Sequence, residues 1–460
     1  MFRWFTLGIA VSPLVLASAA LNANPLQTSA LQVDSDPAPD PPSLGYSTFS
    51  SDWGDWRQEL TNRGINIDLT QISDLVGNRG GNQQGWYYDG LLIPHIDVDL
   101  SQLAGWSGAS LNISGYVIQG GGMTEHTELH AFLTPTNIEY SPAVTKLGEL
   151  WFQQTFFDDR LAVKLGQIEA DIYFNTNASS DFLVNSTWGW LGLWSADLPG
   201  SGPTYPNPVP AIQVIFTPDP DWTLQAAVFN GDPYGNDPEG NSNGLRFPLG
   251  QGGLTFVELA YAPGTAGGKE RLPQAYKLGG WYHSGSFNSL TTAANGFPLY
   301  APQASEDTQK IEGNYSLYAT LEQPLWYETE ARDQGLNVFG SFAINPQEDR
   351  NLTDWLFDIG LTYTGLIGDR SRDRTGIGFT WLNMSSGYAD SVRNLNAFTG
   401  THYPIPHHES FVEVDYQAVV TPWLSIQPFF QYLINPGLNQ FPPANYANLT
   451  LFGLRVILSL

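Results

Sequence analysis

The chain has 460 residues, no cysteine and a net charge of −26. With 19 Lys and Arg against 45 Asp and Glu it has little to neutralise phosphates, which argues against nucleic-acid binding, and no disulfide can staple it. Charged residues make up only 14% and aromatic residues 13%, against about 25% charged residues in ordinary soluble domains, and no run of roughly 18 apolar residues supports a membrane-crossing helix.

The N-terminus reads as an export signal over residues 1–23. Arg3 supplies the positive start, Leu7 to Leu16 the apolar stretch, and Ala17-Ser18-Ala19 a small-residue cleavage site, with Asn22-Ala23 as a later alternative. Residues 24–51 read as a disordered linker, Pro-, Ser- and Asp-rich from Leu31 to Ser51 (DSDPAPDPPS at its centre), with no apolar face to bury. From residue 52 the chain is one unit to residue 460. It opens with a short helix over Asp52 to Asn62, where Trp53, Trp56 and Leu60 share a face and Gly64 ends it. No other segment of helical period is apparent, and everything later reads as β.

The alternation is clearest near the C-terminus. In ESFVEVDYQ (Glu409 to Gln417), Glu413 and Asp415 alternate with Val412, Val414 and Tyr416. Gln427 and Gln431 alternate with Ile426, Phe430 and Tyr432, and Arg455 with Leu454 and Val456. Successive side chains in a strand face opposite ways, so each segment has a polar face and an apolar one. Sixteen segments can be laid out, starting near Ile65, Leu91, Ala109, Leu147, Leu161, Val209, Trp222, Leu254, Ala275, Tyr315, Leu336, Trp355, Thr375, Ser410, Trp423 and Leu449. Short connections such as Phe157 to Arg160, Pro218 to Asp221 and Thr421-Pro422 alternate with long ones. The long ones run from Val76 to Gly90, Asp171 to Pro208, Asn230 to Gly252, Ser284 to Asn314 and Ser385 to His408. Short turns at one end, long loops at the other and an even strand number predict a closed antiparallel transmembrane β-barrel of about 16 strands in an outer membrane. A propeller would show a repeat of about 40 residues, and none is found. The final Leu460 is apolar and in phase but not aromatic.

Several blocks resemble the carbohydrate-selective porin family, the OprB-like porins. They are LTNRGINIDL (Leu60 to Leu69), YYDGLLIPHIDVDLSQLAGWSGASL (Tyr87 to Leu111), KLGELWFQQTFFDDRLAVKLGQIEADIYFNTN (Lys146 to Asn177) with Phe182 and Asn185, and ESFVEVDYQAVVTPWLSIQPFFQYLINPG (Glu409 to Gly437), closed by GLRVILSL. The resemblance covers roughly Trp53 to Leu460. It implies a sixteen-stranded barrel in the outer membrane of a Gram-negative-type cell that passes sugars, glucose in the best-known cases, by diffusion. Some relatives in photosynthetic bacteria pass inorganic ions and carry an extra N-terminal wall-binding module, for which the short linker is expected to leave no room. The strongly acidic charge keeps a general or cation-preferring porin for ions and small solutes as the alternative.

A pore needs a lumen lined by hydrogen-bonding groups and a narrow point. Sugars add a need for flat aromatic faces. Strand phase nominates Asp97, Asp99, Lys164, Glu413, Asp415, Gln427, Gln431 and Arg455 as lumen-facing, with Glu149 and Trp151 on a neighbouring strand. The long segment from Asp171 to Pro208 is the expected constriction, with Asn175, Asn177, Phe182 and Trp188 as contacts, beside Asn185, Trp190 and Trp194. The bland alternatives are polar residues that merely solvate the wall and tryptophans that merely pack the loop. Carboxylates such as Glu149, Glu169, Asp171, Glu413 and Asp415 are spread over too many segments to read as a glycosidase pair. His402, His407 and His408 read as a solvated loop tip, and no nucleophile elbow, zinc-helix or phosphate-loop motif is present. No enzyme activity and no cofactor are implied. The expected partners are small sugars or ions in transit and outer-membrane lipid, with a homotrimer as a possible assembly.

Overall fold

The computed structural model describes residues 56–81, 83–127, 129, 131–235, 241–250, 252–264, 271–330, 332–436 and 448–459. The expected signal, the linker, Trp53 and Leu460 lie outside these residues. Sixteen antiparallel strands close on themselves in simple chain order: β1 (Ile65–Arg79), β2 (Trp86–Asp99), β3 (Ala109–Gly120), β4 (Thr145–Phe156), β5 (Leu161–Ile168), β6 (Val209–Asp219), β7 (Trp222–Asn230), β8 (Gly253–Tyr261), β9 (Ala275–Ala293), β10 (Thr308–Tyr327), β11 (Gly335–Ile344), β12 (Thr353–Thr364), β13 (Arg374–Met384), β14 (His408–Thr421), β15 (Leu424–Ile434) and β16 (Leu449–Ser459). The seam is the β1–β16 pairing, from Thr70 opposite Ser459 to Arg79 opposite Thr450. Closure satisfies the backbone groups that an open edge would leave facing lipid.

The outward face carries the apolar phase read from the sequence. Leu165, Leu278, Leu317, Ile359, Val414 and Leu454 are exposed, as side chains in hydrocarbon must be on an isolated barrel. Aromatic residues collect near both rims. Trp222, Tyr261 and Tyr276 follow one another at the short-turn end. At the other end Trp381 lies between Trp355 and His408, with its ring stacked 3.8 Å from the His408 ring. His408 therefore opens β14 and is not a solvated tip.

Four sequence expectations are corrected. The Val76 to Gly90 loop shrinks to residues 80–85, because β1 and β2 run on and Asn78 bridges the turn to Gly80, Gln83 and Gly85. The Ser284 to Asn314 loop is mostly a long hairpin of β9 and β10, with bulges near Lys310 and Gly313. Both strands outgrow the bilayer there, and a strand in water needs no apolar face, so its alternation is lost. A fourteen-residue helix, Ser386–Thr399, occupies the β13–β14 loop. Ser385 accepts from the Tyr388 N–H and Gly400 ends the helix at φ 72°, cap signals visible in the sequence. The short/long rule is also not strict, since the β8–β9 turn (262–274) is longer than the β11–β12 loop (345–352). The N-terminal helix, α1 (Trp56–Thr61), sits at the short-turn end, where Arg57 reaches the Ile67 carbonyl at 2.6 Å and Asp68 at 3.0 Å.

Candidate functional site: the occupied lumen

Two loops fold inside the barrel: residues 121–144 between β3 and β4, and residues 169–208 between β5 and β6. The first was missed as an infolded loop, and the second is the expected constriction. Carboxylates on the inner wall hold both loops by their backbone. Glu409 accepts from Phe132 N (3.2 Å) and Leu133 N (2.8 Å). Glu413 accepts from Val184 N (2.7 Å), Asn185 N (3.1 Å) and the Trp188 indole. Glu258 accepts from Asn175 N (2.8 Å) and the Tyr318 hydroxyl (2.7 Å), and Glu322 from Ser179 N (2.8 Å) and Oγ (3.0 Å). A buried carboxylate tolerates its desolvation when several donors converge on it, and a loop removed from water needs acceptors for its N–H groups.

Aromatic packing completes the plug. Phe174, Trp190 and Trp194 are fully buried among Phe229 and Phe256 of β7 and β8, and Trp188 packs edge-on against Phe339 and Phe411. The inner face is therefore not uniformly polar, as a simple in/out phase would have it. Glycine on β13 makes the room: a Cβ on Gly378 would stand 2.4 Å from the Trp188 ring, and one on Gly376 would stand 2.6 Å from the Phe182 ring.

Most nominated residues belong to this anchoring system. Asn175 accepts from the Thr320 hydroxyl at 2.6 Å, and the Asn177 side chain turns the loop by accepting from Ser179 N at 3.0 Å. Phe182 lies under the Arg374 guanidinium, 4.5 Å from its ring centre. Gln427 donates to the Phe182 carbonyl (2.7 Å) and to Asp415 (2.9 Å), and Gln431 donates to the Pro135 carbonyl (2.8 Å). Arg455 grips Asp74 through two bonds of 2.7 and 2.8 Å and also reaches Asn137 of the first infolded loop. Asp99 stands apart. It caps the helix Leu100–Ala104 at the short-turn rim, accepting from Ser101 N and Gln102 N. Outside the strands, Asp197 accepts from Leu352 N (2.7 Å), Thr353 Oγ1 (2.8 Å) and Asn345 (2.7 Å). Burial pushes its carboxyl up to about 7 despite these bonds.

The remaining nominees meet on β2 to β5. Glu149 accepts from the Trp151 indole, the Tyr173 hydroxyl (both 3.0 Å) and Glu169 N (3.1 Å). The Lys164 Nζ stands 4.2 Å from the Trp151 ring centre and 3.8 Å from that of Tyr173, and among the described residues it makes no hydrogen bond. Beside it, Asp97 pairs with His95 (3.2 Å) and accepts from Asn112 (2.9 Å). The Asp97 and His95 side chains keep 21% and 12% of their surface accessible. His95, Asn112 and Tyr173 escaped the sequence reading, although His95 is in phase with Asp97 two residues on.

Two cations were also missed. Lys277 at the start of β9 donates to Thr176 Oγ1 (2.5 Å) and to the Thr176 carbonyl, and Arg374 at the start of β13 pairs with Asp181 (2.5 Å). Arg57 over β1 and Lys164 on β5 are further cations on the short-turn half of the barrel. Three of the four touch the loop stretch from Tyr173 to Phe182. Residues one or three positions into a strand read in sequence as rim residues, which hid them.

Comparison with known proteins agrees with this architecture. A family model described as carbohydrate-selective porin, OprB family, matches residues 83–460. Porin B of Pseudomonas aeruginosa is 23% identical over 403 residues, covering 84% of this chain and 86% of that protein. A putative porin, QuiX, of Acinetobacter baylyi is 23% identical over 436 residues, covering 87% and 91%. The high-pH structure of Pseudomonas putida OprB superposes with a TM-score of 0.82 at 21% identity, covering 92% of this chain and all of that one.

Proposed function

Because this chain belongs to the carbohydrate-selective porin family, OprB, we propose that sugars cross it along the β2–β5 wall, beside the plug rather than among its anchors. The protein is a sugar-selective channel of the Gram-negative outer membrane. The observation that carries the route is Lys164, an ammonium held between the Trp151 and Tyr173 rings with its donors uncommitted among the described residues. His95 and Asp97, mostly buried but with part of each side chain accessible, stand beside it. Aromatic rings offer flat faces to the C–H side of a pyranose, while the ammonium, carboxylate and imidazole exchange hydrogen bonds with its hydroxyls. No step is catalysed. A solute trades water for wall groups and leaves again, which requires contacts that are several and individually weak. A small hexose such as glucose is the solute we assign to it.

The acidic net charge does not support a separate cation route. Glu258, Glu322, Glu409 and Glu413 are buried against loop N–H groups and offer a passing cation no free carboxylate. Liposome swelling tests the proposal with glucose, maltose and an uncharged non-sugar of glucose size. Lys164→Ala and Asp97→Asn should slow glucose severalfold and leave the non-sugar unchanged. Equal slowing of both solutes would mean that the wall sets only the bore.

A further inference from the structure

The first infolded loop begins with a feature that sugar passage does not use. Asp89, near the long-loop end of β2, accepts from Gly122 N at 3.0 Å through Oδ1. Glu139, later in the same loop, accepts from Thr124 N at 2.7 Å through Oε1. Gly122 touches both carboxylates, since a Cβ on it would stand 2.4 Å from Glu139 Oε1. The two acids thus face each other across one residue. Neither is used up by the loop. Asp89 Oδ2 and Glu139 Oε2 take no hydrogen bond from any described residue, although the two residues are only 1% and 6% exposed. The Thr124 hydroxyl, on a residue 2% exposed, faces the Glu139 carboxylate but makes no hydrogen bond of ordinary geometry.

Charge is left uncompensated as well. Asp74 stands opposite Asp89 on β1, but Arg455 is committed to Asp74 through two bonds. His126 turns its Nδ1 to the Gly122 carbonyl at 2.7 Å. Buried carboxylates are normally paired with a cation or bound to a metal. A shared proton would join the two acids by a hydrogen bond, and none links them among the described residues. A water could donate to both free oxygens but would leave both charges in place.

We propose that Asp89 Oδ2, Glu139 Oε2 and Thr124 Oγ1 ligate one Ca²⁺ ion, which ties the first infolded loop to β2. All three donors are oxygens, as a hard cation prefers, and Ca²⁺ accepts irregular geometry that Mg²⁺ does not. They are fewer than the roughly six to eight oxygens that Ca²⁺ takes. Water therefore supplies the rest, and the affinity falls in the weak class of about 10⁻⁴–10⁻³ M found in extracellular modules. The site lies at the long-loop end, which meets the external medium. Only the single turn Met123–Thr127 covers it, with Glu125 and His126 exposed on its outer side.

Equilibrium dialysis of the full chain in detergent against radiolabelled Ca²⁺ tests this. Asp89→Asn and Glu139→Gln keep an acceptor for the loop N–H and should each weaken Ca²⁺ binding at least tenfold. Thr124→Val should weaken it severalfold. Glu125→Gln, on the exposed side of the same turn, should leave it unchanged. A second measurement uses the unmodified protein alone: Ca²⁺ should slow protease cleavage of the 121–144 loop severalfold, and Mg²⁺ at the same concentration should not. Equal binding by all the proteins, or an equal loss in Glu125→Gln, would overturn the site by reducing it to adventitious surface charge. Loop cleavage indifferent to Ca²⁺ would overturn it in favour of a proton or a water between the two acids.

Discussion

Two stretches of the lumen wall use the same residue types for opposite ends. On β14, β15 and β16, Glu409, Glu413, Gln427, Gln431 and Arg455 are wholly or nearly wholly buried, and they spend their hydrogen-bonding capacity on loop backbone, Asp74 or Asn137. On β2 to β5, Asp97 and His95 keep part of their side chains accessible, and Lys164, although as buried as Arg455, makes no hydrogen bond among the described residues and sits against the Trp151 and Tyr173 rings. An inward-facing polar residue is thus not in itself a solute contact. What distinguishes the two walls is whether a loop has already claimed the group.

Glu413→Ala should break the comparison most severely. It strands Val184 N, Asn185 N and the Trp188 indole. Each unpaired buried donor costs about 1–3 kcal/mol, so the plug should detach while the barrel stays closed. Planar-bilayer recordings should show conductance rising and sugar preference vanishing, and unchanged conductance would mean the loop is held by its aromatic packing alone.

Gly378→Ala attacks the same plug from its packing side. Its Cβ would stand 2.4 Å from the Trp188 ring, and overpacking of this kind costs typically about 1–3 kcal/mol. The temperature of the heat-modifiable gel shift should fall with only a modest change in conductance.

Lys164→Ala belongs to the other wall. It should leave the gel-shift temperature nearly unchanged, slow glucose severalfold and move the reversal potential toward cation preference. A large loss of stability instead would transfer Lys164 to the anchoring set.

The smallest effect is expected at Asp197. Burial raises its carboxyl from 3.8 to about 7, so between those values the folded protein keeps a proton that the unfolded chain releases. Its contribution to stability is therefore full in acid and declines as pH rises through that window. Asp197→Asn should flatten the pH dependence of protease cleavage of the 169–208 loop between pH 4 and 7. A slope identical to that of the unmodified protein would remove Asp197 as its source.

Alternation, the turn signals and the long-loop end were legible in the sequence because a strand between lipid and lumen turns successive side chains to different environments. That is why the predicted starts at Ile65, Ala109, Leu161, Val209, Trp222, Ala275 and Leu449 coincide with observed ones. The outer ends of β9 and β10 and the helix Ser386–Thr399 were not legible from hydrophobic pattern, because neither lies in hydrocarbon. That the segment from Asp171 to Pro208 folds into the lumen was readable from its length and its tryptophans. The roles of its partners were not, since Glu413 meets Val184 across 229 positions and Glu322 meets Ser179 across 143.

The amino-acid sequence by itself therefore determined the barrel and its strand phase, since these follow from local periodicity against a two-sided environment. Only the tertiary structure decided which inward residues remain free. That depends on where two infolded loops lay their backbone N–H groups, and no local pattern carries this information.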